Sequence, residues 1–352
     1  VMGLFDGALC PPPIGSTAEV AAAAGWPVVL VLDARGMIGS AAAVLAGFAA
    51  LCPPPGLAGL ILNRVRSPRA AQAMVAACAR ACPQVRVLGA LPPDPGLAQP
   101  SRHLGLVQAG ERPDLDAFLD HAADLMERHL DVEALVALAR PGRLDAAAAA
   151  PARPLPPLGQ RIAVARDVAF AFAYPALLDG WRAAGAEIHP FSPLADEAPA
   201  PGCDAVYLPG GYPELHAGRL AGAGRFLDGL RAAAAGGAAL FGECGGYMVL
   251  GRGLVDSEGT RHAMAGLLGL ESSFAARKLH LGYRRAQLLA DGPLGPAGAT
   301  FAGHEFHYAS VLSETGAPLF APRQADGAAL PPCGLAEGRV CGSFVHLIDG
   351  AD

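Results

Sequence analysis

The sequence predicts an α/β protein of two doubly wound domains, and three observations predict it. Over residues 1–140, short apolar runs of the kind that form buried parallel strands alternate with Ala-rich helical segments. A second alternation of the same kind begins at Arg161. Between them, residues 139–159 are rich in Pro and Ala and carry no periodicity, which marks a linker. The expected domains are therefore 1–140 and 159–352, joined by 141–158, and 352 residues suffice for two cores.

The first domain opens abruptly on the apolar Val1-Met-Gly-Leu-Phe-Asp6. After a loop from Cys10 to Gly15, Ser16-Thr-Ala-Glu19 has the form of a capping box and leads into a helix. Pro27-Val-Val-Leu-Val-Leu-Asp33 reads as a strand, 40–51 as a helix, Leu57-Ala-Gly-Leu-Ile-Leu-Asn63 as a strand and 68–81 as a helix. Val85-Arg-Val-Leu-Gly-Ala-Leu91 is a third strand, and 114–138 forms one or two amphipathic helices. Ligands of such folds bind at the carboxyl ends of strands, where three polar residues stand. Asp6 could orient magnesium or a phosphorylated substrate, or serve a turn. Asn63 could read an adenine edge, or close an Asx turn. Asp33 suits a structural role.

In the second domain Arg161-Ile-Ala-Val-Ala165, Glu187-Ile-His-Pro-Phe191 and Ala205-Val-Tyr-Leu208 are expected strands, with helices over 174–185 and 220–235. Further strands are expected at 277–288, 300–311, 334–337 and 340–346.

The chemistry centres on Ala238-Ala-Leu-Phe-Gly-Glu-Cys-Gly-Gly-Tyr-Met248, a strand running through a Gly-rich turn into a helix. A thiol at such a turn is a nucleophile elbow: the glycines permit a strained backbone, and the helix N-terminus favours a thiolate. Cys244 is the expected nucleophile. His346, ending a strand in Ser343-Phe-Val-His346, is the expected base and acid. Backbone N–H groups after two neighbouring strands, at Gly211 (with Gly210) and Gly245, are candidates for an oxyanion hole. His304-Glu-Phe-His307 is not a metal motif, because on a strand its two histidines face opposite ways. His280 and Tyr283 are read as structural or as lining a path.

Composition excludes several alternatives. Alanine supplies much of the apolar fraction of 52%, and the longest apolar runs are shorter than a bilayer span. No charged n-region with an apolar core opens the chain, so a cytoplasmic protein is expected. Eight scattered cysteines suit free thiols, and Cys78 and Cys82 lack a second pair for zinc. A net charge of -6 without a basic cluster argues against nucleic acid. The only lysine is Lys278, so a Walker A loop does not exist in this chain.

Phe241-Gly-Glu-Cys-Gly-Gly-Tyr-Met248, Leu208-Pro-Gly-Gly-Tyr-Pro-Glu214 and Gly342-Ser-Phe-Val-His346 resemble the glutamine amidotransferase domain of the cobyrinic/hydrogenobyrinic acid a,c-diamide synthases. The resemblance covers nearly the whole chain. It implies a dethiobiotin-synthetase-like P-loop ATPase half followed by a class I glutamine amidotransferase-like half. It also implies ATP and Mg2+ as cofactors, glutamine and a corrinoid tetrapyrrole as substrates, and ammonia from the Cys244 site. Val1-Met-Gly-Leu-Phe-Asp-Gly7, Gly59-Leu-Ile-Leu-Asn-Arg-Val65 and Arg102-His-Leu-Gly-Leu106 look like segments of the ATPase half. There Asn63 would match the adenine-reading Asn, and Asp6 would lie beside magnesium and the acyl phosphate. A homodimer is a further expectation.

The sequence departs from the family in two places. The family carries a first strand, a P-loop and an acidic residue ahead of the segment matching Val1, and truncation is the expectation favoured over loss of ATP use. Many class I amidotransferase domains place Glu two residues after the His, where this chain has Ile348, with Asp349 next. The resembled family is known for a reduced Cys–His pair, so the difference fits it. Cobyric acid synthase and nickel-sirohydrochlorin diamide synthase are the neighbouring enzymatic readings. An ATP-free thiol amidase and a degenerate corrinoid-binding scaffold are the others.

Overall fold

The computed structural model describes residues 3–8, 15–102, 105–143 and 153–351. Expectations on Val1 and Met2, on the loop at 9–14, on His103 and Leu104 and on 144–152 of the linker lie outside the described residues. Contacts divide the chain into two units, and the division at Ala150/Pro151 falls inside the Pro- and Ala-rich stretch.

The first unit is built on three parallel strands in the order Val28–Asp33, Leu57–Asn63 and Arg86–Ala90. Alternation along the middle strand sends Leu60 and Leu62 to one face and Ile61 to the other. On the first face the helices Ser40–Leu51 and Pro68–Ala81 bring Leu45, Met74 and Cys78 onto those leucines. On the second, Leu88, Leu91, Leu130 and Ala134 close over Ile61. The Ser16 capping box forms in both directions, Glu19 N–H donating to Ser16 Oγ and Ser16 N–H to Glu19 Oε2. That helix, Thr17–Ala24, stops at Gly25 in the left-handed region.

The second unit carries a ten-stranded sheet of two characters. Five parallel strands come first: Glu187–Phe191 at the edge, then Arg161–Ala165, Ala205–Leu208, Ala239–Glu243 and Val340–Ser343. The edge position explains how Pro190 is tolerated, since its missing N–H faces away from the ladder. Five antiparallel strands continue the sheet: Cys333–Glu337, Ala317–Arg323, His280–Leu288, Thr300–His307 and Val345–Ala351. A doubly wound pattern is thus only half of this unit. Helix Pro175–Ala183 covers one face with Trp181 and Leu177. The other face is covered by Ala217–Gly222, Gly224–Ala235 and Gly245–Leu250. A smaller four-stranded sheet joins Arg261–Ala263, Gly253–Val255, Gly269–Ser273 and Ser310–Thr315.

Three expected elements are broken. The helix over 220–235 is two helices, interrupted at Ala223. The strand over 300–311 turns at Tyr308 and Ala309, and its second part crosses into the smaller sheet. The run 340–346 breaks at Phe344: Val340–Ser343 pairs with Ala239–Glu243, and Val345–Ala351 pairs with Thr300–His307. This change of partner carries His346 away from the parallel strands and back over their carboxyl ends.

Candidate active site

Cys244 stands between the strand Ala239–Glu243 and the helix Gly245–Leu250, at φ 47° and ψ -100°. A non-glycine residue there is strained, and it persists because its neighbours fix it. Cys244 N–H donates to Ser343 O, and Gly246 N–H donates to Pro209 O. A Cβ on Gly246 would collide with Leu208 O, and one on Gly242 would lie 2.7 Å from Gly246 C. Glycine is therefore required where the helix presses onto the neighbouring strand.

The two loops after the parallel strands meet at the thiol. A Cβ on Gly245 would sit 3.0 Å from Gly211 N, so the backbones of these two glycines adjoin. Gly210 lies against the base: a Cβ there would come within 2.5 Å of His346 Cε1. His346 is 3% exposed, and its ring stacks on His304 at 4.9 Å and 3°. The Tyr174 hydroxyl bonds His304 Nε2 at 2.5 Å, and its ring meets His346 edge-on. The residues expected to act together, Cys244, His346, Gly210, Gly211 and Gly245, are thus assembled at one place. Beside them a cavity of about 290 Å³ is lined by Phe172, Ala173, Tyr174, His304, Phe306 and His346.

The electrostatics correct one expectation. Burial pushes the Cys244 thiol well above its ordinary value, and the Glu214 carboxylate adds to this; the Gly245 N–H pulls the other way without prevailing. The resting group is a thiol, so a base must remove its proton. Burial also pushes the His346 imidazole down to about 3.

Glu243, next to the nucleophile, is a feature the sequence reading missed. Its wholly buried carboxylate accepts from the Tyr207 hydroxyl (2.7 Å) and from Leu347 N–H (2.9 Å). Oε2 also stands 3.9 Å from His346 Nδ1, a buried atom with no hydrogen-bond partner. The only signal in the sequence was an acid at the end of an otherwise apolar strand. Ile348 is half exposed, and Asp349 meets the backbone of Gly350 and Arg153, so neither turns to the imidazole.

A second polar cluster lies on the opposite face of Thr300–His307. Glu305 bonds His307 Nε2 (2.9 Å) and pairs with Arg284 (2.8 Å), and His280 stacks on His307. His280, Glu305 and His307 form the one group with metal-ligand spacing among the described residues. Arg284 already supplies a cation to that carboxylate.

In the first unit, Asp33 and Asn63 are register partners at the ends of neighbouring strands. Asp33 is paired with Arg35 and Arg64, which gives it the structural role expected. Asn63 Oδ1 accepts from Arg64 N–H at 2.9 Å. Asp6 is exposed. Among the described residues no helix is long and apolar enough to cross a membrane.

Comparison with known proteins gives the site its setting. Residues 161–352 match the model of the CobB/CobQ-like glutamine amidotransferase domain. The hydrogenobyrinate a,c-diamide synthase of Rhodobacter capsulatus is 53% identical over 99% of this chain and 79% of its own. Those of Brucella anthropi and Rhizobium meliloti are 54% and 51% identical over 99% of this chain, covering 78% and 79% of their own lengths. A solved glutamine amidotransferase aligns with 53% of the chain and 90% of its own length, at 17% identity and a TM-score of 0.34.

Proposed function

The chain belongs to the CobB/CobQ-like glutamine amidotransferase family and, on its similarity over 99% of its length, to the hydrogenobyrinate a,c-diamide synthases; from that premise we propose that Cys244 and His346 release ammonia from glutamine. The enzyme is a glutamine-dependent amide ligase of cobalamin biosynthesis. Its acceptors are the a and c carboxylates of hydrogenobyrinic acid. The relatives' shared name favours this reading over cobyric acid or nickel-sirohydrochlorin amidation.

The observation that carries the proposal is the assembly of the strained thiol, the buried imidazole and two adjoining glycine backbones. Glutamine enters through the cavity beside His346, and its carboxamide carbon comes to Cys244 Sγ. His346 accepts the thiol proton as the C–S bond forms. The N–H groups of Gly211 and Gly245 hold the oxygen that becomes negative. His346 then returns the proton to the departing nitrogen, and ammonia leaves a thioester. Water, deprotonated by the same imidazole, cleaves the thioester to glutamate and restores the thiol.

The first unit is proposed to use ATP and Mg2+ in activating the carboxylates, with Asn63 toward adenine and Asp6 toward the metal. The residues present fit this only in part. Asp6 belongs to no cluster of three or more ligating side chains among the described residues, and the chain has no Gly-Lys phosphate loop.

Glutamate release from glutamine by this chain and by Cys244→Ala tests the proposal. Release that requires Cys244 supports it; equal release by both overturns it.

A further inference from the structure

We infer that Glu243 is the positioning residue of the glutaminase site, holding the Nδ1 side of His346 and supplying the countercharge when that imidazole is protonated. The inference rests on the reading of Cys244 and His346 as nucleophile and base.

The ring of His346 has little freedom. Gly210 blocks it at Cε1, His304 lies flat against it, and Tyr174 meets it edge-on. So held, it aims Nδ1 at Glu243 Oε2, 3.9 Å away, and at no other hydrogen-bond partner. Hydrogen bonds of catalytic groups are often long in the free enzyme and tighten with substrate; here about 1 Å of closure completes one.

Glu243 is held as firmly. Tyr207, on the neighbouring strand, donates to Oε2, and Leu347 N–H donates to Oε1. Leu347 directly follows His346, so one carboxylate ties the strand bearing the nucleophile to the strand bearing the base. Glu243 itself directly precedes Cys244. Tethering alone would not need an acid, because a glutamine oxygen could accept from Leu347 N–H while its amide N–H donated to the Tyr207 hydroxyl, without placing a charge in the interior.

The need for charge comes from the proton transfer. A buried imidazole pushed down to about 3 is a poor acceptor for a thiol proton, and burial opposes the thiolate as well. Moving the proton from Cys244 Sγ to His346 Nε2 makes an imidazolium whose Nδ1–H faces Glu243. An ionised carboxylate at that distance in a dry site stabilises this cation far more than water-exposed groups could. Burial pushes the Glu243 carboxyl up to about 7, with Tyr207 and Leu347 pulling down, so it ionises near neutral pH. His304 and His307 oppose charge on His346, Glu305 favours it, and the Tyr174 hydroxyl is held neutral by burial. Glu243 neither gains nor loses the transferred proton, which passes from sulfur to Nε2 and on to the departing ammonia.

The full chain tests this through glutamate release between pH 6 and 9 and through 15N NMR of His346. Glu243→Gln is expected to lower kcat about 100-fold while KM for glutamine stays within twofold, with Glu243→Asp restoring part of the loss. Tyr207→Phe keeps the carboxylate but removes a hydrogen bond that favours its ionisation, so the acid limb of the kcat profile moves to higher pH. In the unmodified chain the 15N spectrum shows the proton on Nδ1, and Glu243→Gln disturbs that preference. An unchanged kcat and an unchanged tautomer in Glu243→Gln overturn the inference. If that variant fails to fold, an unmoved acid limb in Tyr207→Phe overturns it. Activity that requires Cys244 yet ignores Glu243 sinks this inference alone, whereas activity independent of Cys244 sinks the glutaminase reading. Should glutamate release be too slow to measure, the proton on Nε2 instead of Nδ1 overturns the inference.

Discussion

Gly210 lies directly against the imidazole of His346, leaving 2.5 Å between its would-be Cβ and Cε1. Gly210→Ala must therefore displace the ring or the loop. Because the obstacle is a side chain, the expected result is a well-folded protein with glutamate release lowered at least tenfold. Gly211→Ala meets backbone instead, the carbonyl of Ala169, and is expected to cost about 1–3 kcal/mol of stability. Melting curves and initial rates measured together distinguish the two; equal melting losses would contradict the assignment.

The Cys244 thiol rests protonated, since burial and the Glu214 carboxylate both oppose the thiolate. Alkylation by iodoacetamide at pH 7 should be slower at Cys244 than at a free cysteine and should still be rising above pH 9. Mass spectrometry of the Cys244 peptide over a pH series measures this. A plateau below pH 8 would show that the helix N-terminus prevails over burial.

How much of this was legible in the sequence depends on the range of each signal. The Ser16–Glu19 capping box and the helices Ser40–Leu51 and Pro68–Ala81 are set by residues a turn or two apart, and they form as read. Cys244 carries its glycines with it, so the elbow was visible. Glu243 was not, because its meaning comes from Tyr207 and Leu347, 36 and 104 residues away. The breaks at Phe344 and at Tyr308–Ala309 were hidden for a related reason. Both halves of each run keep strand character, and only the partner changes.

Glu305 carries an acid-stability signature. Burial alone would raise its carboxyl, but His307 and Arg284 hold it down at about 2, against an ordinary 4.5. A depressed folded value contributes stability above pH 4.5 and loses it as pH falls toward 2. Glu305→Gln should therefore be less stable than the parent at neutral pH, by no more than about 3 kcal/mol. Denaturation at stepped pH should show the gap closing between pH 4.5 and 2. A gap constant over that range would mean the ion pair contributes nothing.

Glu243 has the opposite sign. Its folded value is raised from 4.5 to about 7, so the folded state holds a proton that the unfolded chain has already lost. Between pH 4.5 and 7 the unfolded state binds fewer protons, and the parent's stability must fall as pH rises through that window. Glu243→Gln has no such proton to lose, so relative to the parent it should gain stability across the window and hold the gain above it. His346, depressed by burial, destabilises below pH 6.5 in both proteins and largely cancels in the difference. The variant that loses catalysis is thus expected to gain stability at the pH where the enzyme works. That trade is the mark of a buried charge kept for chemistry and not for folding. Paired melting curves at pH 5 and pH 8 decide it, and a stability difference between the two proteins that is the same at both pH values would overturn the prediction.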